Sequence, residues 1–189
     1  MGRPRQFDAE HALDQATDLF WEKGYADTSV SDLEERLGVG RQSLYGAFGD
    51  KRELFVKTLD RYLDRQPANR EILWTEGAGL AEIQTFFDGV VAFVCEGSGR
   101  SCFLVKSALT ENGDEITERC SRNQDHMVRS LAKALRGAVS RGEINATTDI
   151  DVTAAFLVSQ IFGLNVMARN GSSPETLRRT ATMALATLV

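Results

Sequence analysis

Apolar residues recur along most of this chain at intervals of three and four, the spacing of one face of a helix. The first stripe is Ala12, Leu13, Ala16, Leu19 and Phe20; it follows Asp8, a good N-cap, and stops at Gly24. A second, short helix turns Val30, Leu33 and Leu37 inward, with Thr28, Ser29 and Ser31 where a cap is needed and Gly38 at its end. A third runs from Gly40 or Arg41 to Phe48, anchored by Leu44 and Phe48 four residues apart. Gly49-Asp50 breaks and restarts the chain. Asp50 can cap a fourth helix carrying Leu54, Phe55, Leu59, Tyr62 and Leu63, long enough to reach Pro67 as a connector.

The pattern predicts a domain boundary at residues 65–70, hence an N-terminal domain over 1–65 and a second over 66–189. The second reads as about five helices with no strand pattern. Leu80, Ile83, Phe86, Phe87, Val90, Val91 and Val94 form one; a short one covers Cys102–Leu109; a long one carries Ile116, Cys120, Met127, Leu131, Leu135 and Ala138 and ends at Gly142. Asp151–Ala168 is apolar nearly all round, which implies burial on two sides. Ser173-Pro174-Glu175 starts a terminal helix with Leu177, Ala181, Ala184, Leu185 and Leu188. A two-sided apolar helix in so small a domain predicts a partner subunit, and Phe156, Ile161, Phe162, Leu177, Ala181 and Leu185 are the expected interface residues.

Composition narrows the class. With 189 residues, 42% of them apolar, the chain can bury a substantial core, and only three prolines interrupt it. The net charge of −5 offers no general attraction to nucleic acid; residues 1–65 hold ten Lys or Arg against thirteen Asp or Glu, so a basic footprint must be a local patch. Cys95, Cys102 and Cys120 are odd in number and lack CxxC spacing, and the first residues are charged, which fits a reducing cytoplasm. The apolar stretch 152–168 is broken by Ser159, Gln160, Gly163 and Asn165, so no run of roughly 20 apolar residues predicts a membrane span.

A helix followed by a short helix, a turn containing Gly, and another short helix is the outline of a helix-turn-helix. Gly24-Tyr25, Thr28-Ser29-Val30, Leu33, Leu37-Gly38-Val39, Leu44-Tyr45, Phe48 and Asp50-Lys51 with Leu54 resemble, in order and spacing, the N-terminal signature of the TetR family. The resemblance implies an all-α fold: a three-helix DNA-binding domain joined by a connecting helix to a helical domain for ligand binding and dimerisation. It also implies a one-component regulator, commonly a repressor released by a small-molecule or redox signal. Its third helix would enter the major groove, presenting Arg41, Gln42, Ser43 and Gly46, with Thr28, Tyr45 and Lys51 at positions that meet the DNA backbone. Arg and Gln suit bidentate contacts with guanine and adenine edges. Arg3 and Arg5, in a Gly2-Arg3-Pro4-Arg5 arm, fit a minor-groove or phosphate role. Three positions depart from the family pattern: Glu34 stands where a small Ala is usual, Gly40 where Ser or Thr is often found, and Ala47 where His or Tyr is usual. By the same resemblance, the last two helices would pair with those of a second subunit.

Cys102 follows Gly99-Arg100-Ser101 at a helix start, with Lys106 one turn later, so a helix N-terminus and a cation can both favour a thiolate. Some TetR-family regulators that answer electrophiles or oxidants look similar here; a small buried hydrophobe is the alternative. Phe86, Phe103 and Phe162 can line a pocket for an apolar effector or fill a core. His11 and His126 belong to no Cys/His/Asp cluster with metal-ligand spacing, so neither a metal nor a cofactor is expected. The absence of a phosphate loop or a supported nucleophile set argues against an enzyme. A helical interaction protein that has lost DNA binding fits the acidic balance and Ala47. Double-stranded operator DNA, a second copy of the chain and an unidentified small-molecule or electrophile effector are the expected partners.

Overall fold

The computed structural model describes residues 8–65, 70–96 and 102–189, and among these the chain is helical with no strand. Helices α1 (Ala9–Lys23), α2 (Val30–Leu37), α3 (Arg41–Phe48) and α4 (Lys51–Asp64) are followed by a 3-10 turn (Glu71–Trp74). Then come α5 (Leu80–Glu96), α6 (Phe103–Thr110), α7 (Asp114–Ser140), α8 (Ile150–Arg169) and α9 (Pro174–Ala186). The 3-10 turn is too short to leave a periodic trace in the sequence.

The chain divides into two compact units, one formed by residues 1–65 with 106–119 and the other by 66–105 with 120–189. In the first, α1 packs on α4 and α2, and the core is built from Ala16, Phe20, Leu33, Leu44, Phe55 and Leu59. Phe20 meets Phe55 edge-on at 5.2 Å, a favoured aromatic geometry. The caps are those the sequence supplies: Asp8 accepts from the His11 N–H, while Ser29 with Asp32 and Asp50 with Glu53 form reciprocal capping boxes. Gly38 closes α2 with φ of +65°, a left-handed conformation that glycine adopts without steric cost.

The segment 106–119 joins this unit through long-range polar contacts. Lys106 Nζ donates to the carbonyls of Trp21 at 2.8 Å and Glu22 at 3.0 Å, at the C-terminal end of α1, where cations are favoured. Arg52 donates to the Asn112 carbonyl at 2.7 Å, and Arg119 forms a bidentate pair with Asp60 at 2.7 and 2.8 Å.

In the second unit α5 packs against α8 and α9, and α7 adds Met127, Leu131, Leu135 and Ala138 to the same core. Gly137 lets α7 approach the preceding turn closely: a Cβ there would lie 2.0 Å from the Ala78 carbonyl oxygen. By length and composition alone α8 is long and apolar enough to cross a membrane. Yet Ala154, Leu157, Val158, Ile161 and Leu164 face the unit's own core, as in an internal helix of a globular protein. Its buried Asn165 is satisfied, donating to the Ile161 carbonyl and accepting from the Cys102 N–H, both at 2.8 Å.

Candidate nucleic-acid interface

Helix α3 is held by two side chains and open elsewhere. Leu44 and Phe48 are buried, while Arg41, Gln42, Ser43, Tyr45, Gly46 and Ala47 are exposed. In eight residues this splits the helix into an anchoring edge and a broad outward face, the shape required of an element laid in a major groove. Tyr45 is 40% exposed, and nothing lies within 4 Å of the position a Gly46 Cβ would take, so another backbone can approach there.

Lys51 opens α4, with its ammonium 4.2 Å above the Tyr25 ring centroid, and the Arg52 guanidinium lies 5.7 Å from the same centroid. Tyr25 is itself stacked on Phe20 and tilted against Phe55, so the cation sits over a fixed platform. The expected phosphate role of Thr28 needs correction. Its side chain is fully buried and its hydroxyl donates to the Gly24 carbonyl at 2.6 Å, closing the turn before α2. The N-terminus of α2 is likewise occupied from within: Asp32 accepts from Lys23 and from Ser29. These bonds, the Lys23 one foremost, hold its carboxyl well below the usual carboxylate range. Arg3 and Arg5 lie outside the described residues.

In the second unit Cys102 is half-buried just before α6, its N–H fixed by Asn165. The cation expected beside it is engaged elsewhere, since Lys106 donates to the α1 carbonyls. Cys120, on α7, points its Sγ at the Leu104 carbonyl at 3.6 Å; burial, with Cys102 adding to it, pushes that thiol up to about 11. Phe86 and Phe103 are buried, and Phe162 is half-buried against the core. Among the described residues no group of three or more His, Cys, Asp or Glu is placed to hold a metal ion.

The expected interface residues divide. Ile161, Leu177, Ala181 and Leu185 are buried inside the unit, because they lie on the α8 and α9 faces that meet α5 and each other. Phe156 is 37% exposed, and it heads a different row: Val152, Phe156, Ser159, Gly163 and Val166 are all exposed at spacings of four, three, four and three. On α9, Met183 is 69% exposed.

Residues 12–58 match the family model of bacterial regulatory proteins of the tetR family, and residues 79–184 match the tetracyclin repressor-like C-terminal domain. The chain belongs to the TetR family of transcriptional regulators. It is 34% identical to the HTH-type transcriptional repressor ComR of Escherichia coli (strain K12), over 95% of this chain and 88% of that protein. It is 30% identical to the HTH-type regulator YezE of Bacillus subtilis (strain 168), with both chains covered in full. Among solved structures, a cysteine-substituted form of the TetR-family regulator CifR, complexed with 26-base-pair operator DNA, superposes with a TM-score of 0.86. That match is 29% identical and covers all of both chains.

As a TetR-family member the chain has the all-α architecture and the helix-turn-helix that its sequence implies. The periodicity did not reveal two features of the site. One is the tie from Lys106, Arg52 and Arg119, whose partners lie 59 to 85 residues away. The other is the bond that Glu34 makes to the start of α3, where the Arg41 N–H donates to Glu34 Oε1 at 2.7 Å. The departure of Glu34 from the family pattern was its only trace.

Proposed function

We propose that this chain is a homodimeric, one-component repressor that holds an operator through α3 and leaves it when a signal reaches the second unit. The observation that carries the reading is the outward face of α3, with Arg41 and Gln42 at its N-terminal end, where a recognition helix meets base edges. In this reading Arg41 and Gln42 read sequence beside Ser43, Gly46 admits the sugar-phosphate backbone, and Tyr45 and Lys51 meet that backbone. Arg3 and Arg5 reach the adjacent groove. The operator complex of CifR and the repressor ComR support the DNA and repression parts of the proposal. The domains act as 1–65 for DNA and 66–189 for signal and dimerisation, in the cytoplasm.

The exposed row on α8 that carries Val152, Phe156 and Val166, with Met183 on α9, pairs with its copy in a second subunit, which fixes the separation of two recognition helices. Phe86, Phe103 and Phe162 border the effector region, and Cys102 is the residue through which an oxidant or electrophile acts. Selection of bound fragments from genomic DNA tests the proposal: paired half-sites about one helical turn apart are expected. Recovery of no enriched sequence, or of single unpaired sites, overturns it.

A further inference from the structure

We propose that Glu34 sets the DNA discrimination of α3, positioning Arg41 and opposing phosphate wherever the bases do not match; the inference rests on the DNA-binding reading above. Helix α3 differs from α1, α2, α4, α8 and α9 in having no capping side chain of its own. Asp8, Ser29, Asp50, Asp149 and Ser173 each cap a helix with their own side chain, whereas the N-cap of α3 is Gly40, which has none. The missing acceptor comes from the preceding helix: Glu34 Oε1 takes the Arg41 N–H at 2.7 Å. Its Oε2 lies 3.9 Å from Arg41 Nη2, and its main-chain carbonyl accepts from the N–H groups of Gly38 and Val39. Two departures from the family pattern, Glu34 and Gly40, are thus one device, in which a carboxylate from α2 replaces a hydroxyl at the head of α3.

The replacement has consequences that a Ser or Thr cap lacks. An exposed pair such as Arg41 and Glu34, with side chains 58% and 30% accessible, adds little to folding, so its effect lies in binding. Drawn toward Glu34, the guanidinium samples fewer orientations, which favours a bidentate contact over a diffuse one with phosphate. The carboxylate also places a negative charge at the end of the helix that meets DNA. On a duplex whose base edges engage Arg41 and Gln42, the Arg41 that Glu34 orders is held beside that charge and offsets it; on any other duplex the repulsion is not offset. Glu34 is therefore a positioning residue that weakens binding to arbitrary DNA more than binding to operator.

The test uses the full chain and two probes, a pool of randomised duplexes and the duplexes that the wild type enriches from it. Glu34→Gln keeps an oxygen for the Arg41 N–H but removes the charge. It should tighten binding to the unselected pool by about threefold to tenfold at low salt and lower the enriched-to-unselected ratio by a similar factor, with the gain fading as salt rises. Glu34→Ala also loses the cap, and its melting temperature should fall by about 2–4 °C. Adding Gly40→Ser should recover the melting temperature and leave discrimination low. The Gly40 backbone is extended, with φ of −77° and open space at its Cβ position, so a serine fits. Unchanged affinities for Glu34→Gln at all salt concentrations overturn the proposal, as does a double variant that regains discrimination. A wild type that enriches nothing refutes the DNA-binding reading itself and takes discrimination with it; the melting series still reads the cap.

Discussion

Substituting Phe156 by Asp places a charge in the exposed row of α8 and tests the proposed dimer. Phe156 is 37% exposed in the single chain. A phenylalanine side chain carries roughly 150–250 Å² of surface, so about 70 Å² remains to be covered by a partner. At about 25 cal/mol per Å² this corresponds to roughly 2 kcal/mol for each protomer. In a two-fold interface the same patch occurs on both subunits, so the loss doubles to about 4 kcal/mol, equivalent to a dissociation constant higher by about a thousandfold. Two carboxylates brought together at the seam add to the loss, while Ser159 and Gly163 in the middle of the row allow close helix approach and so make it more sensitive to a wedge. Sedimentation equilibrium from nanomolar to micromolar protein should show dimer for the wild type and monomer for Phe156→Asp, with far-ultraviolet helicity retained. Phe162→Asp makes the contrast: Phe162 packs against the core, and its charge should cost helicity as well as association. A variant at 156 that sediments like the wild type, or a wild type that is monomeric at micromolar concentration, would refute the reasoning.

Gln42→Ala should weaken binding to enriched duplexes more than to random DNA, by about 1–3 kcal/mol, whereas Lys51→Ala should weaken both alike and reduce the salt slope by about one unit. Titrations at several salt concentrations read both, and equal behaviour of the two variants removes the assigned roles. Gly46→Ala fills open space on an exposed helix face, so it should stabilise the free chain by roughly 0.5–1 kcal/mol while weakening DNA binding; tighter binding would show that no backbone approaches there. Cys102→Ser should retain DNA binding and lose release by hydrogen peroxide, measured by fluorescence anisotropy. Equal release of wild type and variant would exclude Cys102 as the sensor.

How far the sequence revealed this molecule depended on whether the relevant forces were local. Helix limits were legible because they are set by nearby residues: Asp8, Ser29, Asp50 and Ser173 start helices as caps, and Gly24, Gly38 and Gly49 end them. The outward face of α3 was legible for the same reason, since Leu44 and Phe48 fix which side is buried. Faces of α8 and α9 were not. On α8 apolar residues occupy both sides, so the periodicity that selects a face elsewhere is nearly absent, and only the position of α5 decides that Ile161 turns inward and Phe156 outward. On α9 the stripe of Leu177, Ala181 and Leu185 was found correctly as apolar, but an apolar stripe serves its own core before it serves a partner.

The acidic balance of the first 65 residues illustrates why a sum of charges says little about a DNA-binding head. Many of its carboxylates are placed where helices begin or cations stand. Asp8, Asp32, Asp50 and Glu53 take part in N-terminal caps, where a negative charge meets the positive end of the helix dipole. Asp14 is paired with Arg61 and Arg65, Glu22 with Arg36, and Asp60 with Arg119. These acids stabilise the scaffold and neutralise cations that lie off α3. Helix α3 itself contains no acidic residue, and at its N-terminal end the scaffold's negative charge enters through Glu34 of α2. Counting 13 acids against ten bases therefore measures the wrong quantity. What bears on DNA is which carboxylate stands beside the reading helix, and substituting Glu34 should change DNA discrimination more than changing an acid such as Glu22, whose partner lies on α2.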